Sequence, residues 1–122
     1  MPVYERFEDM PVWKSAENLI VETYRITKDA KFRRDYGLVD QIRRASISIS
    51  GNIAEGFERG LKREFVQFPY IAKGSPGEVR SQLQVSSGLG YINEESFSVL
   101  LDQVYDLSKQ LGAFISSLRK KV

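Results

Sequence analysis

No cysteine and no histidine occurs among the 122 residues. Disulfides, thiolate and imidazole metal sites, a cysteine or serine nucleophile activated by histidine, and a histidine pH switch are all excluded. Proline is scarce, with 4 residues against 9 glycines, which argues against a disordered or collagen-like chain. Neither sign of charge dominates: 18 Lys and Arg face 16 Asp and Glu, a net +2. Long apolar runs are missing too. The longest uncharged stretch, residues 81–93, falls short of the ~20 residues that cross a bilayer and is rich in Ser, Gln and Gly. The opening segment MPVYERFEDM carries Glu5, Arg6, Glu8 and Asp9 where a signal peptide needs an apolar run, so the expected location is the cytoplasm. What remains is one domain's length, 42% hydrophobic and 28% charged, enough for a single apolar core.

The apolar residues recur at helical spacing. Val12, Trp13, Ala16, Leu19, Ile20, Thr23, Tyr24 and Ile26 form a first stripe, opened by Pro11, which suits the first helical position because its missing N–H would lack a partner there. The charged run KDAKFRRD ends this helix and reads as a connection. In the second segment Ser46-Ile47-Ser48-Ile49-Ser50 alternates with the period of a strand. A wider window overrules it, because Leu38, Ile42, Ala45, Ile49 and Ile53 step by four and three residues and fall within an arc of about 80° on a helix. Ile47, with Ala54, lies on a second apolar line nearly opposite that stripe, and is either a partly covered surface isoleucine or a subunit contact. The third segment carries Leu61, Phe65, Phe68, Ile71, Ala72, Val79 and Leu83. Pro69 predicts a kink, and Ser75-Pro76-Gly77-Glu78 has the form of a capping box that would start a new helix. Gly88, Gly90 and Asn93 then supply turn and N-cap signals before a last stripe from Phe97 to Leu118. Helices over about 11–28, 35–58, 61–87 and 94–120 pack most simply as an all-α, antiparallel up-down-up-down four-helix bundle occupying residues 1–122 as one domain, its third helix kinked or broken near Pro69 and Pro76.

Few chemistries survive this pattern. A di-iron carboxylate site needs Glu-x-x-His and fails without histidine. A magnesium or manganese site made of carboxylates has only Glu55 and Glu78 near the inner stripes, and no spacing joins them. Nucleotide-binding glycine motifs are absent and no spacing selects a catalytic pair, so the chain is expected to be no enzyme and to need no cofactor. Basic residues do cluster: Lys31, Arg33 and Arg34; Arg43 and Arg44; Arg59, Lys62 and Arg63; Arg119, Lys120 and Lys121. Three of the four groups lie near helix ends, where clusters can merge into a surface that holds phosphates without reading sequence. The opposing reading is a solvated exterior, since Asp29, Asp35, Asp40, Glu58 and Glu64 sit among them.

The run GLVDQIRRASISISGNIAEG, residues 37–56, resembles the signature of the four-helix bundle proteins named after intervening sequences in bacterial large-subunit ribosomal RNA genes. Val12-Trp13-Lys14 with Ala16, Arg63-Glu64-Phe65, and Ile71-Ala72-Lys73-Gly74-Ser75 with Glu78 support it. Pro69 and Pro76 depart from it, since that family usually has bulky apolar residues there. The resemblance implies an antiparallel bundle assembled as a homopentameric ring, which would give Ile47 and Ala54 a role at the subunit interface. It further implies kinship with the accessory proteins of diversity-generating retroelements, basic pentamers that bind nucleic acid and partner a reverse transcriptase. No biochemical activity is established for the intervening-sequence branch itself. Asn52, Glu55, Ser75 and Glu78 are expected to form a structural polar motif that fixes helix register, not a catalytic site. The expected function is sequence-tolerant RNA or DNA binding through Arg43, Arg44, Lys62 and Arg63, with Arg33 and Arg34. The alternative is a protein-interaction scaffold for a partner enzyme such as a reverse transcriptase, touching no nucleic acid. No membrane partner is expected.

Overall fold

Each stripe becomes a helix whose ends are fixed by local chemistry. The structure, a computed structural model, describes residues 4–58 and 67–121, with side chains described for 4–58, 76–114 and 116. Among the described residues the regular structure is wholly helical: α1 spans Pro11–Thr27, α2 Tyr36–Glu58, α3 Gln67–Gly88 and α4 Glu94–Lys121, with short 3-10 turns at Phe7–Asp9 and Phe32–Arg34. Pro11 is the first residue of α1, behind a buried Met10. Asp35 caps α2, its Oδ1 accepting the Leu38 N–H at 3.1 Å, and Asn93 caps α4, its Oδ1 accepting the Ser96 N–H at 2.8 Å. At the end of α3, Tyr91 N–H donates to Ser86 O and Gly90 N–H to Ser87 O. This paired closure needs a left-handed residue, supplied by Gly90 at φ 75°.

The alternating Ser-Ile run lies inside α2. Its serines turn their hydroxyls back onto the helix: Ser46 Oγ donates to Arg43 O, Ser48 Oγ to Ala45 O and Ser50 Oγ to Ile47 O, all at 2.9 Å. These bonds satisfy the polar groups that strand alternation would have sent to a solvated face. In the third segment one of the two expected outcomes, a broken helix, is excluded. α3 runs continuously from Gln67 to Gly88 with Pro76 inside it, so no separate helix starts at Ser75. Pro76 removes one ladder hydrogen bond, but it is buried, and α3 packs between α2 and α4, contacts that outweigh one missing bond. The proposed start of this helix at residue 61 lies outside the described residues.

α1 packs on α2 and α4, and α3 packs on the same two helices. The core between them contains Ala16 and Leu19 of α1, Ile42, Ile49 and Ile53 of α2, Val79 and Leu83 of α3, and Leu100, Val104, Leu107 and Leu111 of α4, each at most 1% exposed. Thr23 and Thr27 extend the α1 stripe into this interior, donating to Leu19 O at 2.7 Å and Thr23 O at 2.8 Å. No described helix is long and apolar enough to cross a membrane.

Candidate nucleic-acid interface

Between α1 and α2 the chain makes a 3-10 turn around a single apolar anchor. Phe32 is fully buried and its ring lies 5.3 Å from that of Tyr91. With one side chain of a three-residue turn fixed inward, its successors Arg33 and Arg34 turn out into solvent. The segment's acids have other partners. Asp29 Oδ2 accepts the Lys31 backbone N–H at 3.3 Å, while Asp35, besides capping α2, accepts the Tyr91 hydroxyl through Oδ2 at 3.1 Å. That hydrogen bond, with some burial and the nearby carboxylate charge, raises the Tyr91 pKa above its usual value of 10.0. Among the described residues the ion pairs are Arg6–Asp9, Arg25–Glu22 and Arg44–Asp40; none involves Arg33 or Arg34. Lys28, Lys31, Arg33 and Arg34 are thus all exposed along this pole of the bundle, and Tyr36, 83% exposed, follows them as the first residue of α2.

Arg43 and Arg44 are adjacent in sequence and separate in role. Arg43 is half-buried; its Nε donates to Thr27 Oγ1 at 2.9 Å and its guanidinium carbon stands 4.4 Å from the centre of the Tyr24 ring. It clips α2 to α1. Arg44 is exposed and pairs with Asp40 at 2.9 Å in the same helix, a solvated pair that contributes little to stability. Lys62 and Arg63 lie outside the described residues. On the outer face, Ile47 is 45% exposed and Ala54 half-buried.

The polar motif is only partly visible. Asn52 Nδ2 donates to Ser48 O of its own helix at 2.7 Å; Glu55 and Glu78 are exposed on α2 and α3. The Ser75 side chain lies outside the described residues. Among the described residues no three carboxylates gather into a possible metal site. An open depression of about 450 Å³ beside the basic pole is lined by Arg25, Asp29, Tyr91, Asn93 and Ser96, among others. Its Arg25, Asp29, Tyr91 and Asn93 side chains are already engaged with Glu22, the Lys31 amide, Asp35 and the α4 N-terminus, so it presents no activated pair for acid–base work.

A profile of the 23S rRNA-intervening sequence protein family matches residues 8–113. The chain belongs to that family. Among solved structures, the chain is similar to a protein of unknown function from the S23 ribosomal protein family of Bacteroides thetaiotaomicron. The two share a TM-score of 0.75 and 22% identity over 85% of this chain and 97% of the other. At that identity the likeness carries the fold. No curated protein matches the family member described here. Three features of its pole were not read from sequence: the anchoring by Phe32, the engagement of both acids, and the exposure of Tyr36. A lone phenylalanine inside a charged run was the available signal for the first. The other two depend on contacts with Tyr91 and on helix capping, which charge patterns do not encode.

Proposed function

We propose that this member of the family is a non-enzymatic, cytoplasmic, oligomeric helical bundle that binds RNA or DNA without reading sequence. The observation that carries the reading is the pair of exposed guanidiniums at Arg33 and Arg34, which have no carboxylate partner among the described residues while Asp29 and Asp35 are occupied elsewhere. Phosphates supply the missing counter-charge. Arg44 extends the surface, whereas Arg43 serves the α1–α2 junction first.

In this reading the helices run up-down-up-down, α3 bending at Pro76. Three long-range links support the antiparallel order: Arg43 near the start of α2 with Thr27 at the end of α1, Ser15 near the start of α1 with Gln110 toward the end of α4 at 2.8 Å, and Arg80 in α3 with Tyr105 in α4. The bundle assembles as a homopentamer through the outer line of Ile47 and Ala54, supported by the 45% exposure of Ile47, and repetition around a ring converts a weak patch into an avid one.

Arg33→Gln with Arg34→Gln tests the assignment. Each lost phosphate contact lowers the slope of log affinity against log salt by about 0.7 for single strands and 0.9 for duplex, so the double variant loses between one and two units. A folded double variant with an unchanged slope contradicts the assignment. If the wild type binds neither nucleic acid at low salt, a protein-interaction scaffold for a partner enzyme takes its place.

A further inference from the structure

We infer that the pole formed by Arg33, Arg34 and Tyr36 takes single-stranded nucleic acid, with a base stacked on the Tyr36 ring and the flanking phosphates held by the two guanidiniums; this rests on the nucleic-acid reading above and narrows it to a strand type. Tyr36 is 83% exposed, the most of any large hydrophobic residue described. The other described tyrosines are covered: Tyr4 packs against the core, Tyr24 lies under Arg43, Tyr91 beside Phe32, and Tyr105 under Arg80 at 5.4 Å. No described ring or cation covers Tyr36. Nor does the fold call for a tyrosine there, because Asp35 already caps α2 and an aromatic residue has only middling helix propensity.

The neighbours decide what kind of partner fits an uncovered ring. Arg33 and Tyr36 are three residues apart, at most about 11 Å of chain, within the span of a few nucleotides. A protein surface closing over this pole would strand two guanidiniums unless it brought carboxylates to both. A polyanion brings its counter-charges with every unit. Between the two polyanion forms, a duplex keeps its base faces inside the stack and gives Tyr36 nothing to cover it, whereas an unpaired base has an open face.

Fluorescence anisotropy with a labelled 12-nucleotide oligouridylate and a labelled 12-base-pair duplex tests this. Tyr36→Ala should weaken oligouridylate binding about 5- to 150-fold, the range for losing one base–aromatic stack. It should leave the salt slope and duplex affinity unchanged, and Tyr36→Phe should bind like wild type. Because the side chain is exposed, both variants should keep the wild-type melting temperature and light-scattering mass. Undiminished oligouridylate binding by a folded Tyr36→Ala overturns the stacking inference; if Arg33→Gln with Arg34→Gln still weakens binding, the broader reading survives that result. Equal weakening of both probes, or a changed mass, also overturns it, the latter by showing that Tyr36 lies between copies of the chain. Absence of binding to either probe by the wild type removes both readings together.

Discussion

Replacing Arg43 with alanine tests whether two neighbouring arginines do different jobs. The substitution removes a charged N–H donor 2.9 Å from Thr27 Oγ1 and a cation 4.4 Å from the Tyr24 ring. A hydrogen bond from a charged group contributes about 1.5–3 kcal/mol, and a cation–π contact about 0.5–2 kcal/mol. Both belong to one guanidinium and do not add in full. Thr27 keeps its own bond to Thr23 O, so no hydroxyl proton is orphaned, and half-burial leaves the arginine partly solvated. These considerations set the loss near 2 kcal/mol, or a fall in melting temperature of roughly 6–10 °C for a chain of this size. Thermal and urea unfolding followed by circular dichroism measure it. Arg43→Lys should lose about half as much, since an ammonium cannot serve hydroxyl and ring together. A double-mutant cycle with Tyr24→Leu should return a coupling of about 0.5–1 kcal/mol. Arg33→Ala and Arg34→Ala, at exposed positions, should stay within about 0.5 kcal/mol of wild type. If Arg43→Ala melts within 2 °C of wild type, or the cycle returns zero, Arg43 is not the clip described and returns to the candidate binding surface.

Other expectations follow from single contacts. Gly51→Ala, on an exposed turn of α2 with nothing within 4 Å of the new Cβ, should stabilise by about 0.5–1 kcal/mol, whereas Gly90→Ala, at φ 75°, should destabilise by about 1–2 kcal/mol; urea unfolding that ranks them the other way contradicts the turn assignment. Tyr91 donates to Asp35 only while protonated, and its folded pKa is raised, so its contribution is fully present below its unfolded pKa of about 10 and is lost as pH rises through the folded value. The stability gap between wild type and Tyr91→Phe should therefore be constant below that point and shrink above it; a gap that stays flat through strongly alkaline pH refutes the hydrogen bond. Ile47→Lys should lower the light-scattering mass from about five times 14.0 kDa toward that of one chain without unfolding it; a monomeric wild type refutes the ring.

Apolar spacing carried much of the helical architecture, because a four-helix core is built from regular stripes and the stripes are wide enough to outvote local exceptions. α2 shows this: Ile42, Ile49 and Ile53 are buried, although the Ser-Ile alternation argued for a strand. Local signals failed where packing overrode them. Ser75-Pro76-Gly77-Glu78 has every feature of a helix start and sits inside α3, since neighbouring helices, absent from any local window, hold that segment. The candidate interface was legible as charge and illegible as geometry. Arg33, Arg34, Arg43 and Arg44 look alike in sequence; the contact with α1 sets Arg43 apart as an inward clip, and the four-residue spacing within α2 gives Arg44 to Asp40. Tyr36 stands out solely by what fails to cover it.

The most direct test of the central claim is a salt series of anisotropy titrations with labelled RNA and duplex DNA, comparing wild type with the Arg33→Gln, Arg34→Gln double variant. The account predicts that wild-type affinity falls log-linearly with salt and that the double variant binds more weakly with a slope shallower by between one and two units. Wild-type binding that ignores salt, or a folded double variant that matches wild type throughout, contradicts it.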